Sequence, residues 1–280
     1  MVETAHARRP SGPEFGPLLQ DWRRRRRLSQ LALASNAGVS TRHLSFVETG
    51  RAKASREMVL HLAEHLDVPL RERNRLLLAA GFAPSFRESP LDAPGMRTVQ
   101  DALAQLLRAH EPYPALVMNR HFELVAANRS VAILIEGCDP ELLTPPLNTL
   151  RVGLHPNGLA RRVINLSEYR RHLLGQLVRA VHNAPDDSLT ALYAEVSGYP
   201  VAEGEPIDDE PIGVVLPLRL RGLRPEDGEL SMFSTLATFG TPLDITVSEL
   251  AIESFFPADP HTEAVLRARH AELAEESAES

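Results

Sequence analysis

The sequence predicts an all-α module of five short helices followed by an α+β domain, and three observations carry that expectation. Between Phe15 and Phe82 the apolar residues recur every three to four positions, and no run alternates as a strand does. After Pro112 and Pro114 the period changes and strand-like runs begin. Charge shifts along the chain as well. Residues 1–83 hold 14 basic and 8 acidic side chains, whereas residues 84–280 hold 16 and 29. The net charge of −7 therefore hides a +6 head on a −13 body, the asymmetry of a separate nucleic-acid module.

The elements follow in order. Residues 1–14, with Pro10, Gly12 and Pro13, read as a loose arm. The first helix carries Leu18, Leu19 and Trp22 before the run Arg23–Arg27. Ser29, Ser40 and Ser55 have the chemistry of N-caps for the next three helices, and Gly38 supplies a tight turn. Pro69 suits the first position of the fifth helix, which ends at Gly81. That defines a head over 15–83. Pro84, Pro90, Pro94 and Gly95 mark a linker over 84–96, and a body follows over 97–268.

In the body a helix is expected over Arg97–His110, then a strand pair, Ala115–Met118 and Phe122–Ala126, around a turn at Asn119-Arg120. Helices are expected over Asn128–Glu136, Ser167–His182 and Asp187–Val196. The last third reads as strands over Val214–Arg221, Glu229–Phe239 and Asp244–Phe256. The second of these is apolar on both faces, as a central strand covered on both sides would be. A final helix frays into an acidic tail over 269–280.

Composition removes several classes of function. One cysteine, Cys138, makes neither an internal disulfide nor a cysteine-rich zinc site, and it suits a reducing cytoplasm. No apolar run is long enough to span a membrane, and no apolar segment follows Arg8 and Arg9 as a signal peptide requires. The 29-to-1 ratio of arginine to lysine is a genome-composition effect. His61-Leu62-Ala63-Glu64-His65 fits the inverted zinc-protease signature, but Leu62, Ala63 and Leu66 belong to a packed helix, so no metal is expected there. No phosphate-binding, nucleotide-binding or nucleophile motif occurs. Neither a cofactor nor catalysis is expected.

A helix that reads DNA presents small polar or hydrogen-bonding side chains at its N-terminal end. Here that end is Ser40-Thr41-Arg42-His43, with Ser45 and Thr49 one and two turns further. Arginine can bind guanine O6 and N7 together, which discriminates by roughly 1–3 kcal/mol. Leu28-Ser29-Gln30, Ala34, Gly38-Val39-Ser40, Leu44-Ser45 and Glu48-Thr49-Gly50-Arg51 at this spacing resemble the helix-turn-helix of XRE/Cro-type repressors. That resemblance implies a lambda-repressor-like five-helix domain in which Gln30 and Thr41 pack over a double-stranded DNA operator. Arg42, His43 and Ser45 then face bases, with Arg51 and Lys53 against phosphate. Of the Arg23–Arg27 run, at most two or three residues can face DNA, since five consecutive helical residues point in all directions.

The body carries a second resemblance. Pro114–Met118, Arg120–Arg129 and Asn148–Arg151 are similar to the MmyB-type ligand-binding domain, with Phe122 and Tyr169 standing where that family has tryptophan. The resemblance implies a PAS-like fold around an apolar pocket for a small lipophilic effector such as a fatty acid. From the residues themselves, a pocket needs an apolar wall and a few convergent polar groups. Leu150, Leu173, Leu177, Met232, Phe233 and Leu236 are candidates for the wall, and Asn128, Asn148, Arg151, His155, Arg171 and His172 for the polar groups. Arg151 is the candidate cation for an anionic head group.

The expected protein is a cytoplasmic, homodimeric transcription regulator that senses a small ligand. One alternative is a DNA-binding adaptor whose body recognises a protein. A remoter one is a small-molecule enzyme.

Overall fold

The computed structural model describes residues 14–184, 186–200 and 217–279. The chain divides into two compact units, Met1–Glu88 with Leu243–Ser248, and Ser89–Pro242 with Glu249–Ser280.

The first unit is helical. It holds α1 (Phe15–Arg25), α2 (Gln30–Asn36), α3 (Thr41–Glu48), α4 (Arg56–His65) and α5 (Leu70–Ala79). Ser29, Ser40 and Ser55 each cap a helix by accepting from the N–H three residues on, those of Ala32, His43 and Met58, at 3.0–3.2 Å. Each such cap stabilises by about 1 kcal/mol. Gly38 takes φ 63° in the turn between α2 and α3. Leu19, Leu33, Leu44, Leu62 and Leu77 are fully buried, with Trp22 against them. A Cβ on Gly16 would sit 2.4 Å from the Glu48 carbonyl oxygen, so only glycine allows α1 to approach the end of α3 this closely.

This unit extends to Glu88, beyond the expected end at 83. Asn74 is the reason: its Oδ1 accepts from the Ser85 and Phe86 N–H groups while its Nδ2 donates to the Phe86 carbonyl.

The second unit begins with α6 (Arg97–Ala109), β1 (Ala115–Met118), β2 (Leu124–Ala127), α7 (Val131–Ile135) and α8 (Thr149–Leu154). Next come α9 (Leu166–Asn183), α10 (Asp187–Ser197), β3 (Leu218–Arg221) and β4 (Glu229–Thr238). The chain then forms α11 (Ile245–Ser248), which belongs to the first unit, and returns as β5 (Ala251–Pro257) and α12 (Pro260–Glu279).

The five strands form one antiparallel sheet in the order β2-β1-β5-β4-β3, a PAS-like arrangement. On one face α6 lays Leu103 and Leu107 against Ala115, Val117 and Ile252. The opposite face carries Leu116, Met118 and Phe255 into the main core with α7 and α12. Arg162 is buried and donates to the carbonyls of Ile133, Leu134 and Glu136, satisfying the end of α7.

Four expectations change. Strand β2 starts at Leu124 because Phe122 takes φ 62°, outside strand geometry. The expected strand Asp244–Phe256 splits. The Asp244 carboxylate accepts from Thr246 N–H at 2.9 Å and starts a helical turn, so β5 begins at Ala251. Strand β4 pairs with β3 only along residues 229–232, and Leu236 near its end is 56% exposed, so only its first half is central. The helix of the C-terminal tail is continuous to Glu279, with Arg269 buried and paired to Glu136 and Glu272. Residues 214–216 of the first expected strand lie outside the described residues.

Candidate functional site

The reading helix is α3, and Glu48 at its end fixes its position. Arg23 of α1 donates Nε to Glu48 Oε1 at 2.7 Å and Nη2 to Oε2 at 2.9 Å. Gln30 of α2 donates to the same Oε2 at 2.8 Å. One buried carboxylate thus joins three helices. Burial would raise its pKa, but the hydrogen bonds from Arg23 and Gln30 and the guanidinium charge outweigh that and lower it.

On this frame Arg42 is exposed, its guanidinium 5.4 Å from the Phe46 ring. Thr41, His43 and Ser45 are half-buried along the same helix. Thr49 is exposed, but its hydroxyl donates to the Ser45 carbonyl at 2.7 Å. Arg51 and Lys53 are exposed beyond the helix. Gln30 reaches Glu48 rather than Thr41, through its amide nitrogen.

The arginine run divides sharply. Arg23 is buried on Glu48, Arg25 pairs with Asp21, and Arg26 donates to the Leu66 and Asp67 carbonyls. Arg24 and Arg27 are exposed. His61 donates to the Ala37 carbonyl at 2.7 Å and stacks edge-on with His65. Among the described residues no cluster of histidine, cysteine and carboxylate side chains is arranged to hold a metal.

In the second unit, the sheet face away from α6 covers an apolar cavity of about 70 Å³. Its walls include Met118, Phe122, Leu150, Leu173 and Phe255. The Asn119 carboxamide positions Phe122 by accepting from the N–H groups of His121 and Glu123, and the Thr149 N–H caps the Phe122 carbonyl at 2.8 Å. These bonds hold a bulky residue in the left-handed region with its ring in the cavity wall. Gly153 leaves room for Tyr169: a Cβ there would lie 3.3 Å from the Tyr169 hydroxyl and 3.2 Å from Leu173.

The polar members of the wall are Thr149, Tyr169, Gln176 and Glu253. Glu253 sits on β5 beside Leu116 and accepts from the Ser234 hydroxyl at 2.8 Å. Burial pushes its carboxyl up, opposed only by that hydrogen bond. Burial, reinforced by the neighbouring Glu253, also pushes the Tyr169 phenol up, so it stays neutral. No lysine, arginine or histidine lines the cavity among the described residues.

The residues singled out in the sequence take varied places. Leu173 is in the cavity wall, whereas Leu177 and Met232 are fully buried in the adjoining cores. Phe233 stacks on Phe256, and the register puts that pair on the α6 side of the sheet, away from the cavity. Asn148 caps α8 through the N–H groups of Leu150 and Arg151 and donates to the His121 carbonyl. Asn128 is a buried clamp, accepting from Ala115 N–H and donating to the Leu107 and Tyr113 carbonyls. Arg151 forms an exposed two-bond pair with Glu195, both at 2.8 Å. His155 accepts from Asn157 N–H and packs edge-on against Tyr199. None of these four polar side chains is in the cavity wall.

Sequence reasoning missed Glu253 and Gln176. Glu253 had a readable signal, as an acid inside the apolar run Ala251–Phe256 on the same strand face as Phe255.

Geometry thus defines a helix-turn-helix head and a PAS-like sheet over an apolar cavity. The chain belongs to the family of the MmyB-like transcription regulator ligand binding domain, whose model matches residues 99–268, more than half of the chain. A helix-turn-helix domain model matches residues 14–76. The chain thus joins a helix-turn-helix domain to a ligand-binding domain of the MmyB-like transcription regulator type.

No curated protein matches it. One solved structure, titled "Structure of an RNA-binding Light-Oxygen-Voltage Receptor", aligns over 94% of this chain at 14% identity and a TM-score of 0.25. This chain spans 62% of that protein's length. Likeness at that level bears on nothing further. Among the described residues no helix is long and apolar enough to cross a membrane.

Proposed function

We propose that this regulator reads a double-stranded DNA operator through α3 as a homodimer, and that a small apolar ligand in the sheet-domain cavity changes operator affinity. Arg42, His43 and Ser45 face base edges, Thr41, Gln30 and Thr49 support the register, and Arg51 and Lys53 meet phosphates. Two heads about 34–36 Å apart read half-sites one turn apart, which offsets the few base pairs one short helix specifies.

The cavity carries the ligand half of this proposal. A space of about 70 Å³ with an almost wholly apolar wall, between the core face of the sheet and the helices over it, is room for a small apolar molecule. It is smaller than the ~150 Å³ engineered cavity that takes benzene, so the wall favours a compact ligand or must yield for a longer one. Ligand can act only by binding two arrangements of the protein with different affinity.

Native mass spectrometry of the purified protein, followed by anisotropy on operator duplex with and without the recovered ligand, tests this. A dimer that carries a small molecule and changes operator affinity when stripped supports the proposal. A monomer, or a stripped protein with unchanged affinity, counts against it.

A further inference from the structure

The wall of the cavity has an acid where an anion-binding pocket would need a base. Its one ionisable group of low ordinary pKa is Glu253, and the other titratable group lining it is the phenol of Tyr169. The cation expected for an anionic head, Arg151, is outside the cavity and paired with Glu195. Among the described residues Ser234 is the one hydrogen-bond partner of the Glu253 carboxyl, and the Tyr169 hydroxyl has none. Both groups nonetheless lie deep in the domain and keep partly exposed surface, because the space they face is the cavity.

Building on the ligand-sensing role proposed above, we propose that the cavity takes a small apolar amine, with Glu253 as the counter-charge of its ammonium group. The charge balance decides against a carboxylate. An ammonium beside the Glu253 carboxylate leaves the site neutral overall. A bound carboxylate would put two acids in one low-dielectric space with no cation, and would need an added proton. An alcohol of the same size can hydrogen-bond to Glu253 or Tyr169 but gains no charge pairing. Met118 and the leucines of the wall can shift to admit a short chain.

Full-length protein is titrated calorimetrically at pH 7.5 with hexylamine, hexan-1-ol and hexanoate. Hexylamine should bind about tenfold more tightly than hexanol, and hexanoate most weakly, since a charge-assisted hydrogen bond exceeds a neutral one by about that factor. Glu253→Gln keeps the shape of the wall. It should bring hexylamine down to the level of hexanol while hexanol itself changes little. Ser234→Ala, which leaves the carboxyl in place, should retain the amine preference. Hexanoate binding as tightly as hexylamine would overturn the head-group assignment while leaving the sensor role standing. Binding of none of the three would overturn both, and so distinguishes the two failures. An amine preference that survives Glu253→Gln would also overturn the assignment, whatever the stability of the variant.

Discussion

Arg23 and Glu48, 25 residues apart in the chain, form a buried two-bond ion pair that ties α1 to the end of α3. Gln30 adds α2 to the same carboxylate. Removing one partner of such a pair leaves an uncompensated charge or an unfilled set of donors, which costs about 3–5 kcal/mol. Glu48→Ala should therefore destabilise the first unit by about that amount. Trp22, the chain's one tryptophan, is buried in this unit, so its fluorescence during denaturant unfolding reports the loss without interference. An unchanged midpoint would mean that packing alone fixes α3.

Asp186 caps α10 and meets both His121 and Arg120. Burial would raise its pKa, but hydrogen bonds from His121 and Ser188 N–H, with the Arg120 charge, hold it at about 2. A carboxyl lowered on folding stabilises above its unfolded value near 3.8, and that contribution is lost as pH falls toward 2. Asp186→Asn should cost about 2 kcal/mol at pH 7, and the gap from the parent protein should narrow steadily below pH 4. Paired urea titrations followed by circular dichroism give the comparison, and a gap independent of pH would remove the charge from the explanation.

Glu253 has the opposite sign. Its carboxyl is pushed up on folding, so the folded state resists ionisation and loses stability as pH rises past the unfolded value of 4.5. Without ligand, Glu253→Gln should raise the thermal midpoint at pH 7.5, and the gain should vanish below pH 4.5. A midpoint lowered at pH 7.5 would show that the ionised carboxylate is well paired in the empty protein.

Arg151 illustrates a surface pair. Its partner Glu195 is about as exposed as itself, and pairs of this kind stabilise by about 0–1 kcal/mol. Arg151→Ala should shift the unfolding midpoint little and leave hexylamine binding within about twofold, since a change under 0.4 kcal/mol is all that factor represents. Abolished binding would show instead that the Arg151–Glu195 pair holds the cavity wall in shape.

The first unit was legible in the sequence because helix caps and a 3.6-residue period are local signals. Ser29, Ser40 and Ser55 each announce a helix by their own chemistry. The sheet was legible in its strands but not in its faces. Phe233 and Ser234 are neighbours in sequence, yet one stacks on Phe256 and the other serves Glu253, and only the strand register decides which is which. Arg151 and Asn148 look like pocket residues by type. Asn148 caps its own helix, a local signal that its residue type also allows, whereas the Glu195 partner of Arg151 comes from a distant helix and no local pattern encodes it. Asp244 was misleading in another way: it opens a helical turn in a stretch whose valine, isoleucine and phenylalanine content reads as strand.

Selection of bound duplexes from a randomised library, run with the parent protein, Arg42→Ala and Arg51→Ala, tests operator reading by α3 most directly. The parent should enrich a two-fold-related motif. Arg42→Ala should lose preference at one position of each half-site, a change of about 1–3 kcal/mol, whereas Arg51→Ala should keep the motif with weaker binding and a salt dependence reduced by about one unit. Enrichment of no motif, or of the same motif at the same strength by all three proteins, would contradict base reading by this helix.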